Sequence, residues 1–445
     1  MELAPQQTEN SLRFQGAGCI TQGNDGALEM TLYASQGPHQ GQWFERKSAS
    51  QAGQLIPQSE LFELSAKDFY GRTWIARGIY PQPHYGVPKG CMVKASLREI
   101  ICTESTRFTL KKGRVTLWIL EELPVPCTMA TETKTTINGE TQLRSSRLNI
   151  AKVSSCGHDL EFEKGDRLVE VRIACPDESC TAGVGSKVCE ALQFILGRPV
   201  RWSIMRVEGQ GSDSAHIRPL RQPVATGHVA PPLPLDNLLV ARHLWKLFGK
   251  YLEMVMAYEP ASWHPLSWYL YSLTESRTPD GLALPLGVAV EGVLKTCYKE
   301  LAVRDETIHK AVESLQEHLD TWTGPHKYRH RASSQIGMWL HANPQDKLNI
   351  LQTAGLLTAT DIAAWKKLRH GAAHGGNPDD RDFQELLTLC DQVLVLLYRL
   401  VLQYVGYEGQ YKDYGKRGWP LCDFRPCVLT QTAPSTSGGG QVGLP

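Results

Sequence analysis

No charge of one sign dominates this chain. Its 445 residues carry 47 Lys and Arg against 46 Asp and Glu, a formal net charge of +1. That balance excludes a global electrostatic pull toward nucleic acid or an anionic membrane, so any phosphate binding has to come from a local patch. A membrane-length apolar run is also missing. The most apolar stretch, Val393–Val405, is interrupted by Tyr398, Arg399 and Gln403 and falls short of the roughly 20 residues a span needs. It reads as a buried core helix. Met1-Glu2-Leu3-Ala4-Pro5 opens without the basic region and apolar core of a secretory leader, so a cytoplasmic protein with no membrane partner is expected.

Metal-ligand spacing is lacking too. Twelve cysteines are scattered from Cys19 to Cys427, and the pairs Cys175/Cys180 and Cys422/Cys427 each enclose four residues. Zinc sites usually need two tight pairs that meet in space. Reduced thiols are expected, with no metal and no cofactor. Gly183-Val184-Gly185-Ser186-Lys187 lacks the full Gly-x4-Gly-Lys-Ser/Thr spacing of a phosphate loop, and it reads as the start of a helix at Lys187–Leu196. No internal repeat of fixed period stands out.

What is present changes character midway. The first half alternates with a period near two: Ser11–Phe14, Ala27–Tyr33, Arg114–Ile119, Leu160–Glu163 and Val169–Ile173, with a further strand at Val200–Val207. Turn residues such as Gly23-Asn24-Asp25-Gly26 and Asn138-Gly139 separate the runs. Short strands with turn chemistry between them predict an antiparallel, sandwich-like β domain over 1–228. The proline cluster Pro231-Pro232-Leu233-Pro234 marks a linker over 229–236.

Beyond it the period becomes helical. Val240, Leu244, Leu247, Tyr251 and Val255 are spaced by three and four, as are Ile308, Val312, Leu315, Leu319 and Trp322. Further helices are expected over Leu282–Leu301 and Gln345–Leu357, with a motif helix from Asp361. The last long helix should begin with Asn377 as N-cap and Pro378, Asp379 and Asp380 in its first turn. It is apolar nearly all round to about Val405, which predicts a central position or burial by a second subunit. Residues 406–429 form an aromatic extension expected to be ordered against the helices. Residues 430–445 have the composition of a disordered tail.

Residues 365–376 read WKKLRHGAAHGG. Ile362, Trp365 and Leu368 make the inward stripe, and Arg369 sits at its edge. His374 is five residues on, about 140° round an ideal helix. The two converge only where Gly371 or Gly375-Gly376 lets the backbone turn. Histidine can move a proton near neutrality, and the arginine fork suits phosphate oxygens. Together they fit RNA cleavage by attack of a 2′-hydroxyl on its own phosphate. The alternative is that Lys366, Lys367, Arg369 and His370 merely complement the helix dipole. Glu291, on the apolar run Leu286–Leu294, is either an exposed helix position or a carboxylate orienting Arg369 or His374. Gly324-Pro325-His326-Lys327-Tyr328-Arg329-His330-Arg331 is the densest basic stretch. It reads as a solvated loop between helices, or as a hold on RNA through Lys327, Arg329 and Arg331.

The pattern Trp-x-x-Leu-Arg-His-x-x-x-His-Gly at Trp365, Leu368, Arg369, His370, His374 and Gly375, followed by a long apolar helix, resembles the HEPN family over about Leu238–Val405. Ala289-Val290-Glu291-Gly292-Val293-Leu294 looks like that family's earlier helix, which often bears an acidic residue. The resemblance implies an all-α HEPN bundle over 237–405, with Arg369 and His374 as a metal-independent ribonuclease pair. It also implies two such motifs facing each other across a homodimer. His370 stands where many members have asparagine. Phe14–Ile20, Asn24-Asp25-Gly26 and Met30–Tyr33 look like the N-terminal domain of ApeA-like phage-defence proteins. That implies a sensing half with a phage-derived trigger, and a toxic nuclease acting on RNA such as tRNA. A HEPN-like bundle serving only dimerisation or ligand binding is the competing expectation.

Overall fold

A computed structural model describes residues 1–6, 12–43, 56–87, 90–105, 112–137, 140–176, 181–209, 212–220, 228–259, 262–276, 278–301, 306–340, 343–374 and 382–429. The expected caps Asn377, Pro378, Asp379 and Asp380, the turn Asn138-Gly139 and the tail 430–445 lie outside them. A large antiparallel sheet comes first and a helical region follows, as the change of period predicts. The chain forms two compact units. One joins Met1–Thr226 to Pro234–Trp263, and the other joins Gly227–Leu233 to His264–Pro445.

Among the described residues of the first unit, fifteen strands form one continuous hydrogen-bonded sheet. Alternation does the work in strands such as Leu28–Gln36, where Leu28, Met30, Leu32 and Ala34 are buried and their neighbours are not. These residues join Leu3, Phe14, Phe62 and Leu64 in one apolar core. The turn at Gly23–Gly26 closes as read, with the Gly26 N–H donating to Gly23 O at 2.9 Å. Further along, Arg114–Ile119 lies between Val169–Ala174 and Ile204–Gly209. Helix α1 (Ala182–Leu196) packs on Arg114–Ile119 and Ile204–Gly209. Gly185 makes the contact close, because a Cβ there would come within 2.7 Å of the Leu117 and Met205 side-chain ends, which would have to shift.

Helix α2 (Ala241–Met256), expected to open the helical half, packs instead in the first unit. Its Tyr251 stacks on Phe194 of α1 at 4.4 Å, and Trp245 and Phe248 enclose Phe162. The Trp245 indole N–H donates to Pro126 O at 3.1 Å. Periodicity identifies an apolar helix face but not the surface that buries it. One expectation about cysteine also fails: Cys175, at the end of strand Val169–Ala174, is disulfide-bonded rather than a reduced thiol. Sequence spacing does not report whether two sulfurs meet in space.

The second unit contains α3 (Pro265–Thr274), α4 (Pro279–Thr296), α5 (Glu306–Thr321), α6 (His326–Gly337), α7 (Pro344–Thr353), α8 (Ala359–His374) and α9 (Phe383–Tyr404). A hairpin of Gly409–Lys412 and Leu421–Phe424 closes it. Helix α4 is central, packing on α9, α3 and α8. Gly292 allows this, since a Cβ there would meet the Tyr269 ring of α3 at 2.3 Å. Helix α9 starts at Asp382, whose side chain accepts from the Gln384 and Glu385 N–H groups. Its stretch Val393–Tyr398 is buried within the chain, so its apolar circumference needs no second subunit for cover. The Tyr398 hydroxyl donates to Ala230 O, and the Tyr414 hydroxyl of the extension to Pro231 O at 2.7 Å. No helix among the described residues is long and apolar enough to cross a membrane.

Candidate active site

Helix α8 is fixed at its start. Asp361, in its first turn, accepts from the Thr358 N–H at 2.8 Å, and the Thr358 hydroxyl accepts from the Asp361 N–H at 3.2 Å. This reciprocal cap satisfies donors the helix leaves open. The Arg399 guanidinium of α9 grips the same Asp361 carboxylate at 2.8 Å. It also donates to the Tyr411 hydroxyl at 2.8 Å and to Asp413 at 3.2 Å, and Lys416 lies 3.1 Å from Asp413. The Asp413 side chain is only 3% exposed, so this network joins three elements in a nearly dry interior. Ion pairing is the kind of interaction that makes such burial tolerable. Burial would push the Arg399 guanidinium down, but Tyr411, Asp361 and Asp413 around it raise it.

The inward stripe is as the spacing predicts: Ile362, Trp365 and Leu368 are buried. Arg369 therefore emerges at the edge, with 56% of its side chain exposed. Its Nε–H donates to Glu291 of α4, and its guanidinium carbon lies 5.8 Å from the centre of the Trp365 ring. Of the two alternatives for Glu291, the structure places it in the ion pair. Gly287, one turn earlier on α4, faces Arg369 across the helix contact, where a Cβ would sit at ordinary contact distance, 3.7–3.8 Å from Arg369 atoms. The two terminal nitrogens of Arg369 have no acceptor among the described residues. His370 is exposed beside it. The backbone of His374 closes α8, and its side chain lies outside the described residues.

The remaining basic candidates separate. Lys367 pairs with Glu385 of α9, and Lys366 is exposed. Lys327, Arg329 and Arg331, expected on a loop, stand on helix α6. Arg329 is half-buried and reaches Asp320 O at 3.5 Å. Lys327 and Arg331 are exposed. One position escaped the sequence reading. Arg399 registers there only as an interruption of an apolar run, which is itself the signal that a charge is being placed in a core.

The arrangement can present a fixed cation and an imidazole to an anion at the exposed end of an anchored helix. Compared with protein-family models, with curated proteins and with solved structures, the chain matches none.

Proposed function

We propose that the helical unit is a metal-independent HEPN-type endoribonuclease centred on Arg369, with His370 and His374 at the same helix end. The observation that carries this is the posture of Arg369. Glu291 holds the guanidinium through Nε, while more than half of the side chain faces solvent. An always-charged planar fork held this way suits a phosphate. In the reaction the substrate's 2′-oxygen attacks its own phosphorus and the bond to the 5′-oxygen breaks. An imidazole takes the 2′-hydroxyl proton, and the departing 5′-oxygen is protonated in turn. The ends produced are a 2′,3′-cyclic phosphate and a 5′-hydroxyl. Arg369 stabilises the added negative charge at phosphorus in the transition state. On this reading two copies bring their motifs together in a homodimer. The sheet-containing unit acts as a sensor whose phage-derived trigger releases a nuclease acting on RNA, tRNA included.

A second reading has one observation in its favour: the Glu291–Arg369 pair also suits a non-catalytic binding or dimerisation module. The test is incubation of the full chain with total RNA in EDTA, with sequencing of the ends. Arg369→Ala should lower cleavage about 10²–10³-fold, and His374→Ala about 10²–10⁴-fold. His370→Ala should cost less than either. The double variant Arg369→Ala/His374→Ala should be little worse than either single, because the two act as one unit. Lys366→Ala and Lys367→Ala control for basic charge alone. Losses on the lysine changes as large as on Arg369→Ala would make the stretch an electrostatic patch and favour the binding module.

A further inference from the structure

We propose that the outward face of α6 is a docking strip for single-stranded RNA, an inference that rests on the ribonuclease reading of the same unit. From Thr321 to Gln345 the sequence contains no acidic residue, while it contains Lys327, Arg329, Arg331 and three histidines. The acids of the α5–α6 hairpin are confined to α5. The helix sorts its own side chains. Arg329 and Ser333 turn toward α5, where Arg329 reaches Asp320 O and the Ser333 hydroxyl donates to Gln316 at 2.7 Å. At 3.6 residues per turn, Lys327 and Arg331 then lie about 40° apart on the other side, with Tyr328 about 60° from Arg331. No residue of α6 is buried, and Tyr328 is 59% exposed. Neither Lys327 nor Arg331 has a carboxylate within ion-pair distance among the described residues. Trp322 before the helix and Met338 and Trp339 after it are exposed as well.

Two unpaired cations beside an open aromatic ring fit an unpaired strand. The cations take phosphates, and the ring stacks on a base whatever its identity. A duplex offers phosphates but keeps its bases stacked on each other, so Tyr328 would gain nothing from it. The exposed aromatics and Arg331 would also suit a protein partner, but Lys327 and an acid-free stretch from Thr321 to Gln345 complement a polyanion along its length.

The experiment uses the full chain and fluorescein-labelled 2′-O-methyl oligonucleotides of U or A, which cannot cleave themselves, with the matched duplex as a second probe. Fluorescence anisotropy is read across a salt series. Single strands should bind, and the salt slope should fall by about 1.4 when both cations are removed in Lys327→Gln/Arg331→Gln. Tyr328→Ala should weaken single-strand binding about 5- to 100-fold and leave duplex binding unchanged, while Tyr328→Phe keeps it. Equal binding of duplex with no effect of Tyr328→Ala would overturn the proposal in favour of plain charge attraction. A change of oligomeric state in sedimentation on Tyr328→Ala or Trp339→Ala would overturn it in favour of an interface between copies. The two readings fail separately. Binding with these effects but without cleavage of natural RNA sinks the nuclease and keeps the strip. Cleavage with binding untouched by the α6 variants does the reverse.

Discussion

Lys347 is buried at 7% exposure, and among the described residues no carboxylate lies within ion-pair distance of it. Its ammonium instead donates to Leu294 O at 3.0 Å and Tyr298 O at 2.7 Å, capping the end of α4. Desolvation lowers its pKa, and Glu300 nearby opposes that. Positive charge at a helix C-terminus is favourable, and loss of the amine would take a donor from both carbonyls, leaving Tyr298 O with the Leu301 N–H at 3.2 Å. Lys347→Met should therefore cost about 1–3 kcal/mol, read as a lower urea midpoint with unchanged slope; an unmoved midpoint would show that water replaces the amine freely. Asp68 gives a pH prediction. Burial pushes its carboxyl up, but hydrogen bonds from the Trp74 indole, the Arg72 side chain and the Arg72 and Tyr70 backbone overrule this and hold it at about 2. Because the folded value lies below the ordinary 3.8, its contribution is present above pH 4 and is lost as pH falls toward 2. Backbone amide shifts of Tyr70 and Arg72 should titrate with a midpoint near pH 2, and a midpoint near 4 would mean the turn leaves Asp68 unpaired. At this scale the sequence is legible where a residue's role depends on near neighbours. Arg369 sits at the stripe edge because Ile362, Trp365 and Leu368 take the inside. Its partner Glu291 is 78 positions away, and only folding decides that meeting.

Elements follow the same division. Helices with a clear apolar period were readable, with ends shifted by a few residues. Helix α6 was not, because it buries nothing and so has no period to display; its Gly-Pro start and dense charge imitate a loop. Helix α3 is short and begins with His264, whose ring accepts from the Leu266 N–H at 3.1 Å. Histidine is an uncommon cap, so no capping signal marks the start of this helix in the sequence. The anchoring of α8 is the element-scale feature with the largest consequence. Arg399→Met would leave Asp361 and Asp413, side chains 15% and 3% exposed, without their main counter-charge. Removing one partner from a buried ion network typically costs about 3–5 kcal/mol. The variant should unfold at lower denaturant. Asp361→Asn/Arg399→Met should lose less than the sum of the two singles, since both report one contact. Strict additivity would mean that the two side chains do not act together.

At the scale of the molecule, the chain passes between its two units more than once. Gly227–Leu233 belongs with the helices, Pro234–Trp263 returns to the sheet, and the chain leaves again at His264. The proline cluster was readable as a change of regime, but a composition shift marks one crossing and cannot show a return. The short segment is structural in the helical unit: Pro232 O accepts from the Lys412 N–H at 2.8 Å, and Ala230 O and Pro231 O accept from buried tyrosines. A fragment cut to the sequence boundary, 229–445, keeps that segment but also carries α2 without the surface it buries on. Leu244, Trp245, Leu247, Phe248 and Tyr251 would then face water, although all are buried in the whole chain. Each large apolar side chain exposed forfeits about 1.5–3 kcal/mol. This fragment should bind hydrophobic dye and aggregate. A second fragment, in which residues 237–263 are replaced by a flexible Gly-Ser linker of about twenty residues, should stay soluble and unfold cooperatively with a helical circular-dichroism spectrum. Removing 229–233 from that second fragment should lower its stability, because three carbonyl acceptors go with them. A soluble, dye-silent 229–445 that unfolds in one step would place α2 with the helices and show that the sequence boundary is also the structural one.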